Sequence, residues 1–289
     1  MQALRHYLLA VQFFTRIPVT GRLADWVGYS PAMLRASAAH FPGVGWLVGG
    51  VVALLTWCLL ALLPAGPFAP LVAATLGTAL SVVMTGAFHE DGLADVADGL
   101  GGSYNRERAL EIMKDSRVGA FGAIAVMLAL LCKVALLAML GSLSMGLMVA
   151  GVFAAHVVSR TWPLLTIRLL PHVGDSAVSK SKPLAAQISL PALGVAHLWC
   201  FLALALVGFA PDAIYLVANT GWPSANLWPL WGLATGFSVL AWAWMHRWFA
   251  KRLQGFTGDC LGAAQQVSEI AFYLGLALAW GLWPAGATP

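Results

Sequence analysis

Long apolar stretches separated by short polar segments dominate the pattern of the chain. A helix needs roughly 20 mostly apolar residues to cross the hydrocarbon core of a bilayer. The stretches of about this length lie near residues 43–63, 69–88, 119–140, 143–159, 188–210, 227–246 and 268–284. Backbone groups in lipid must be satisfied within the segment, and the strand alternation of an outer-membrane barrel is absent from the sequence. The pattern therefore predicts an all-α fold, a polytopic transmembrane helix bundle of about seven spans.

Composition supports a membrane location for the whole chain. Of the 289 residues, 60% are hydrophobic and only 10% are charged, whereas soluble domains average about 25% charged residues. We find no internal repeat, and we expect residues 1–289 to form a single integral-membrane domain. The four cysteines form no CxxC pair, so neither a disulfide framework nor a zinc site is indicated. The net charge of +4 is expected to face anionic lipid rather than nucleic acid.

The basic residues alternate along the predicted spans. They precede the first span and occupy every second connection, as Arg5, Arg16, Arg22, Arg35, Arg106, Arg108, Lys114, Arg117, Arg160, Arg168, Lys180, Lys182, Arg247, Lys251 and Arg252. The connections 64–68, 141–142 and 211–226 contain no Lys or Arg. The positive-inside rule then predicts a cytoplasmic N-terminus and a multi-pass protein of the cell inner membrane. Any chemistry is expected on the cytoplasmic side, where most acidic residues lie.

The densest polar feature is the run from His89 to Gly99, His-Glu-Asp-Gly-Leu-Ala-Asp-Val-Ala-Asp-Gly. Asp91, Asp95 and Asp98 are spaced i, i+4 and i+7, so on a helix they share one face. Like charges at this spacing repel each other, which indicates that a cation neutralises them. Hard oxygen ligands without sulfur favour Mg²⁺ or Mn²⁺. A solvated acidic loop is the alternative, but we interpret the segment as metal-binding.

A basic element completes the predicted acidic cytoplasmic loop, residues 89–117. Lys114-Asp115-Ser116-Arg117 stands directly before a glycine-rich helix start at Gly119. Helix N-termini favour anions, and Arg binds phosphate oxygens in bidentate fashion. A solvated amphipathic helix on the membrane surface is the alternative for the part that follows residue 105. Together, acids for a metal and cations for phosphate predict a pyrophosphate site.

Three further features have two interpretations each. Thr257 and Asp259, after the sixth span, offer oxygen ligands, or they cap the next helix. Arg160 either meets substrate or extends to lipid headgroups. Lys133 and His156, within predicted spans, either pair with the acidic loop or face the interior of the bundle.

These residues fall in runs that closely resemble the cobalamin synthase family, also called adenosylcobinamide-GDP ribazoletransferases. The matching runs cover nearly the whole chain in the same order: Phe14-Thr15-Arg16-Ile17-Pro18-Val19, Phe41-Pro42-Gly43-Val44-Gly45, Phe88 to Gly99, Met113 to Gly122, and Thr257 to Ala263. The acidic run together with Lys-Asp-Ser-Arg is the specific part of the resemblance. The Thr-Gly-Asp run alone would be a weak signal.

The resemblance implies the last assembly step of the corrinoid nucleotide loop. A hydroxyl of α-ribazole or its 5′-phosphate attacks the phosphoryl group on cobinamide in adenosylcobinamide-GDP, and GMP leaves. Adenosylcobalamin or its 5′-phosphate forms, with Mg²⁺ required. Phosphoryl transfer depends mainly on metals that bridge phosphates and cations that stabilise developing charge, which fits the residues of the loop.

The implied roles fall on named positions. We expect Asp91, Asp95 and Asp98 to bind metal, and Asp115 to complete a metal shell or to accept the proton of the attacking hydroxyl. His89 is an alternative base. The substrate is expected to contact Lys114, Ser116, Arg117, Arg160, Thr257 and Asp259. A homo-oligomer is left open by the sequence.

Two other functions compete. A CDP-alcohol phosphotransferase also uses acids on membrane helices, but its Asp-Gly-x-x-Ala-Arg signature is broken here, since Asp95 follows Ala94. An ion-coupled transporter would be compatible with seven spans and with the intramembrane Lys133 and His156. Transporter sites usually lie near the bilayer midplane, whereas the charges here gather at one surface.

Overall fold

The computed structural model describes residues 1–174, 187–209 and 227–282. Lys180, Lys182 and the predicted outer connection 211–226 lie outside the described residues, as does the end of the last predicted span.

The described part of the chain is mostly helical, with one isolated bridge between His172 and Phe256. Its α-helices are α1 (Gln2–Phe14), α2 (Gly21–Val27), α3 (Pro31–Ser37), α4 (Phe41–Leu62), α5 (Ala69–Thr85), α6 (Phe88–Gly102), α7 (Arg106–Lys114), α8 (Ala120–Leu143), α9 (Met145–Thr161), α10 (Pro163–Leu169), α11 (Leu190–Phe209), α12 (Trp228–Arg252) and α13 (Gly258–Gly281). The all-α prediction is confirmed for these residues.

Every predicted span coincides with a helix, namely α4, α5, α8, α9, α11, α12 and α13. The boundaries differ most at the last helix, which begins at Gly258, ten residues before the predicted start. The polar residues Gln265 and Gln266 caused this error, because polar residues are typical of a connection. In the structure both are buried inside the bundle. The fourth span continues through α9 into α10, past Arg160, as its marginal length predicted.

The described helices that are long and apolar enough to cross a membrane are Pro31–Leu62, Ala120–Leu143, Met145–Leu169 and Leu190–Phe209. A fifth crossing is added if α5 and α6 are taken as one broken span, although they are bent by 88°. These helices indicate a membrane protein. The count of seven spans and the cytoplasmic N-terminus stay predictions.

The predicted acidic loop is itself helical, as α6 and α7. A turn at Gly86 and Ala87, with φ of +66° and +58°, ends α5 and redirects the chain into α6. Two arginines fix the far end of α6 and the start of α7 to the end of α12. Arg106 donates to the carbonyl of Leu253 at 2.7 Å, and Arg252 donates to that of Ser103 at 2.6 Å.

Charged side chains tie the centre of the bundle together. Lys133 of α8 forms an ion pair with Glu269 of α13, with 2.7 Å between Nζ and Oε1. Both side chains are at most 2% exposed, and His156 of α9 lies 3.9 Å from the same carboxylate. Of the two interpretations of Lys133 and His156, the structure confirms that they face the bundle interior.

Candidate active site

Helix α6 lies against the N-terminal turn of α13, and two glycines permit the approach. A Cβ at Gly92 would lie 2.7 Å from the backbone oxygen of Asp259, and one at Gly262 would lie 3.3 Å from Cα of His89. Thr257 is the N-cap of α13 and accepts from the backbone N–H of Cys260. The capping interpretation of Thr257 is thus confirmed, and the cap brings Asp259 to the acidic face of α6.

Three carboxylates meet at this contact. Burial, and after it the charges of Asp259, Asp91 and Asp98, together raise the pKa of Asp95 from its ordinary value to about 7. The pKa of Asp259 is also raised, first by burial and then by Asp91, although its hydrogen bond from Thr257 acts in the opposite direction. Asp91 is exposed, while Asp95 and Asp259 are half-buried. The structure therefore brings Asp91, Asp95 and Asp259 together.

Asp98 lies on the same face of α6 but has different partners. Its two carboxylate oxygens accept the backbone N–H groups of Gly119 and Gly122, at 2.7 Å and 2.8 Å. Those N–H groups belong to the start of α8, where the first turn of a helix lacks internal acceptors. Asp98 is 8% exposed and caps α8 from a neighbouring helix.

The predicted phosphate-binding element lies at the surface. Asp115 accepts from Arg117 Nε at 3.0 Å and from the Arg117 backbone N–H at 3.1 Å, so the two side chains form a local pair. That hydrogen bonding lowers the pKa of Asp115 to about 2. Lys114 and Ser116 are exposed at the end of α7 and in the turn after it. Asp98 connects the segment that follows this element to the acidic face of α6, because it accepts from Gly119 and Gly122.

His89 and Arg160 are both buried, away from that surface element. The His89 ring stacks on Phe41 at 5.8 Å between centroids, and burial lowers its pKa well below the usual value. Arg160 is 2% exposed, and its Nη1 is 3.0 Å from His156 Nδ1. Its guanidinium acts electrostatically on Glu90 and Glu269. Both residues border the acidic site from inside the bundle.

A cleft of about 350 Å³ opens between α6 and the first part of α8. Asp91 and Glu90 form its acidic side, and the other wall is apolar; the lining is completed by Ala87, Ala94, Val118, Gly122, Ala123, Val126 and Met127. Volumes of roughly 300–1,000 Å³ with a few polar groups are typical of small-molecule sites. A second cleft, of about 620 Å³, lies among α1, α2 and α3 and has Asp25 as its acidic group. Of these two clefts, the first adjoins the clustered carboxylates.

Sequence reasoning missed a buried polar chain beside this cleft. Gln266 donates to Glu90 at 3.0 Å, and Gln265 donates to Glu269 at 2.8 Å and to Ser159 at 2.9 Å. Glu90 stands in the acidic run, and the adjacent glutamines stand beside a predicted apolar span, where polar residues usually have a function. Those two signals could have identified it.

The donor set suits a hard divalent cation. Within the described residues, no group of three or more His, Cys, Asp or Glu side chains is arranged to hold a metal ion. Mg²⁺, however, is commonly bound by one or two carboxylates together with substrate phosphates and water. Oxygen is the only donor type in the cluster of Asp91, Asp95 and Asp259. A divalent cation bound there would reduce the repulsion among these carboxylates.

Comparison with known proteins gives the family. The family model described as cobalamin-5-phosphate synthase matches residues 6–277. Proteins named adenosylcobinamide-GDP ribazoletransferase are similar over nearly their full length. That of Albidiferax ferrireducens is 70% identical over 96% of this chain and 99% of its own, and that of Polaromonas naphthalenivorans is 62% identical over the same shares. One from Shewanella amazonensis is 40% identical over 95% of each chain.

No solved structure matches the chain significantly. The family model and the relatives agree with each other, and both cover the acidic run, the basic element and the Thr-Gly-Asp run in one stretch. The chain therefore belongs to the cobalamin-5-phosphate synthase family.

Proposed function

We propose that the protein is an adenosylcobinamide-GDP ribazoletransferase. It joins adenosylcobinamide-GDP with α-ribazole, or with its 5′-phosphate, and releases GMP. A hydroxyl oxygen forms a new bond to the phosphorus on cobinamide while the bond from that phosphorus to the GMP oxygen breaks, and the proton of the hydroxyl is released with GMP. The single observation that supports this chemistry is the cluster of Asp91, Asp95 and Asp259 beside the α6–α8 cleft. The names of the relatives supply the substrates.

We further propose that Asp91, Asp95 and Asp259 hold Mg²⁺ with the diphosphate of the substrate. When bound by these residues, Mg²⁺ would supply positive charge that stabilises the negative charge developing during transfer. Asp98 is left out of this set because both of its oxygens are occupied by the start of α8. Asp115 is left out because it pairs with Arg117 at the exposed surface.

The other residues have supporting parts in the proposal. Lys114, Ser116 and Arg117 sit on an exposed rim, where cations attract a polyanionic substrate and Arg117 can exchange Asp115 for phosphate. His89 and Arg160 lie behind the acidic face, where Arg160 offsets the charge of Glu90. Thr257 keeps the first turn of α13 in place and so orients Asp259.

The membrane arrangement belongs to the same proposal. The site lies at the cytoplasmic face of the cell inner membrane, with seven spans and a cytoplasmic N-terminus, as the alternation of basic residues predicts. The apolar wall of the cleft, with Val126 and Met127, lies on a helix long and apolar enough to cross the bilayer. An amphipathic corrinoid can therefore contact both the acidic site and the membrane surface.

Product formation in detergent tests the function. Purified protein is incubated with adenosylcobinamide-GDP and α-ribazole, with Mg²⁺ or with EDTA, and corrinoid products and GMP are separated by chromatography. We expect GMP and adenosylcobalamin in equal amounts, with Mg²⁺ only. CMP release from a CDP-activated lipid would instead favour the phospholipid enzyme. Activity without a sealed vesicle excludes a pure transporter, and the absence of GMP would reject the proposal.

A further inference from the structure

One carboxylate oxygen of Glu90 accepts a hydrogen bond, and the other has no partner among the described residues. Its Oε1 accepts from Gln266 Nε2 at 3.0 Å, and Gln266 itself is fixed by a 3.1 Å hydrogen bond to Gln265 Oε1. Glu90 is 7% exposed, and among the described residues its Oε2 has no hydrogen-bond partner. Arg160 offsets the charge of Glu90 but does not donate to Oε2, and a buried acceptor without a donor is costly, so Oε2 is available to a donor of a ligand.

The oxygen without a partner, Oε2, belongs to a side chain that lines the α6–α8 cleft beside Asp91. The ligand group that meets it must be a donor, because a carboxylate oxygen accepts hydrogen bonds and repels phosphate. Of the two substrates of the proposed reaction, the nucleoside brings the attacking hydroxyl, which is a donor. In the proposed reaction the adjacent Asp91 would hold the metal that binds the diphosphate.

We propose that Glu90 Oε2 accepts a hydrogen bond from the attacking hydroxyl of the nucleoside substrate and orients it toward the phosphoryl group. This inference rests on the proposed function. Gln266 is the positioning residue, because its amide holds Oε1 of Glu90 and leaves Oε2 without a donor. Holding a nucleophile close to its target supplies a large part of the acceleration in transfer reactions.

Glu90→Gln is the sharpest single change. Gln266 would still donate to the oxygen at position 90, so the new NH₂ group would replace the acceptor in the cleft with a donor. We expect kcat/KM for α-ribazole to fall by about 10- to 100-fold, the range for loss of one hydrogen bond to a charged group. The KM for adenosylcobinamide-GDP should stay within about twofold, since an uninvolved substrate loses no contact. An unchanged kcat/KM for α-ribazole would overturn the proposal.

The exchange Glu90→Gln with Gln266→Glu restores the geometry. The carboxylate at position 266 accepts the NH₂ group at position 90, which turns the amide oxygen into the cleft. We expect the double variant to regain about 10-fold of the lost kcat/KM. A purely structural role for the pair would not predict that kcat/KM recovers for α-ribazole alone. If kcat/KM for α-ribazole does not recover, the hydrogen-bond role is contradicted.

Gln266→Met is an independent variant in case Glu90→Gln does not fold. It releases the Glu90 carboxylate, so KM for α-ribazole should rise while the unfolding temperature in detergent identifies any loss of fold. Ser268→Ala is the matched control, because Ser268 is fully buried on the same helix and its hydroxyl has no partner among the described residues. Its kinetics should equal those of the parent.

The same assays separate the two levels of the proposal. If the parent protein forms no GMP from adenosylcobinamide-GDP and α-ribazole, the proposed function fails. If the parent is active and Glu90→Gln keeps the parental KM and kcat for α-ribazole, only the role of Glu90 fails.

Discussion

The aspartates of α6 have the same side chain but different surroundings. Asp91 is exposed at the cleft, Asp95 is half-buried among like charges, and Asp98 is fully engaged with the start of α8. Spacing alone makes them equivalent, because i, i+4 and i+7 put all three on one face. Their partners on other helices assign them different tasks, and the first two predictions follow from that difference.

Removing a charge from the carboxylate cluster should abolish metal-dependent turnover. We expect Asp91→Asn and Asp259→Asn each to reduce kcat at least about 100-fold at saturating substrate, because each removes an anionic ligand near the transferred group. Asp115→Asn is the control carboxylate, and it should retain activity within about tenfold, since Asp115 pairs with Arg117 at the surface. GMP release is the measurement. Near-normal rates for both cluster variants would remove Asp91 and Asp259 from the metal site.

The Asp95 carboxyl should make metal-free protein sensitive to pH. Its pKa of about 7 in the folded chain lies above the ordinary value of 3.8, so folding favours the protonated form. That stabilisation is complete below the ordinary value and is lost as pH rises to about 7. In EDTA we therefore expect the unfolding temperature to fall between about pH 4 and pH 7, and Mg²⁺ added at pH 8 to raise it again.

Asp95→Asn is the matched variant for this experiment. An amide does not titrate, so the fall of the unfolding temperature with pH should become shallower and the response to Mg²⁺ weaker. An identical pH dependence in both proteins would show that another group is responsible.

At the scale of elements, the contact between α6 and α8 depends on one carboxylate. Asp98 accepts two N–H groups of the first turn of α8, which otherwise have no acceptor within their own helix. We expect Asp98→Ala to lower the free energy of unfolding by about 1–2 kcal/mol, as loss of an N-cap does. Asp98→Asn, which keeps an acceptor, should lose less. Thermal unfolding in detergent measures both, and lost activity at unchanged stability would contradict the structural role.

The lengths of the apolar runs were sufficient to predict the long helices. Apolar runs predicted every long helix, because in lipid only a helix satisfies the backbone along such a run. The predicted start of α13 was wrong, because Gln265 and Gln266 are polar yet buried. Whether a polar residue is buried depends on partners from distant parts of the chain. The turn at Gly86 and Ala87 between α5 and α6 was not predicted. Ala87 has a left-handed conformation there, which alanine does not favour.

The site was predicted in part. The acidic run and the Thr-Gly-Asp run were singled out separately, but only the close approach at Gly92 shows that Asp259 joins Asp91 and Asp95. Glu90 lies in the same run but was not singled out. What distinguishes it is its hydrogen bond from Gln266, a residue remote in sequence. Spacing within one helix can be read from sequence, whereas pairing between helices needs the fold.

Across the whole molecule, the Lys133–Glu269 pair connects the bundle core to the site. Glu269 also accepts from Gln265 and Tyr273, at 2.8 Å and 3.0 Å, and Gln265 bonds to Gln266 beside Glu90. The pair is nearly inaccessible, so neither charge can be solvated if its partner is removed. Removal of one partner from a buried pair typically costs about 3–5 kcal/mol, whereas replacing both by apolar groups is often neutral.

We therefore expect Lys133→Met to lower the unfolding temperature sharply and Lys133→Met with Glu269→Leu to recover much of the loss. The double variant also removes one of the two acceptors of Gln265 and leaves it only Ser159, so the hydrogen-bonded chain that leads to Glu90 should loosen even where the fold is restored. Its kcat/KM for α-ribazole should then stay below that of the parent protein at the same temperature. Stability and GMP release measured on the same samples separate the two effects. Equal recovery of both would mean that the core pair supports the fold alone and does not influence the site through Gln265 and Gln266.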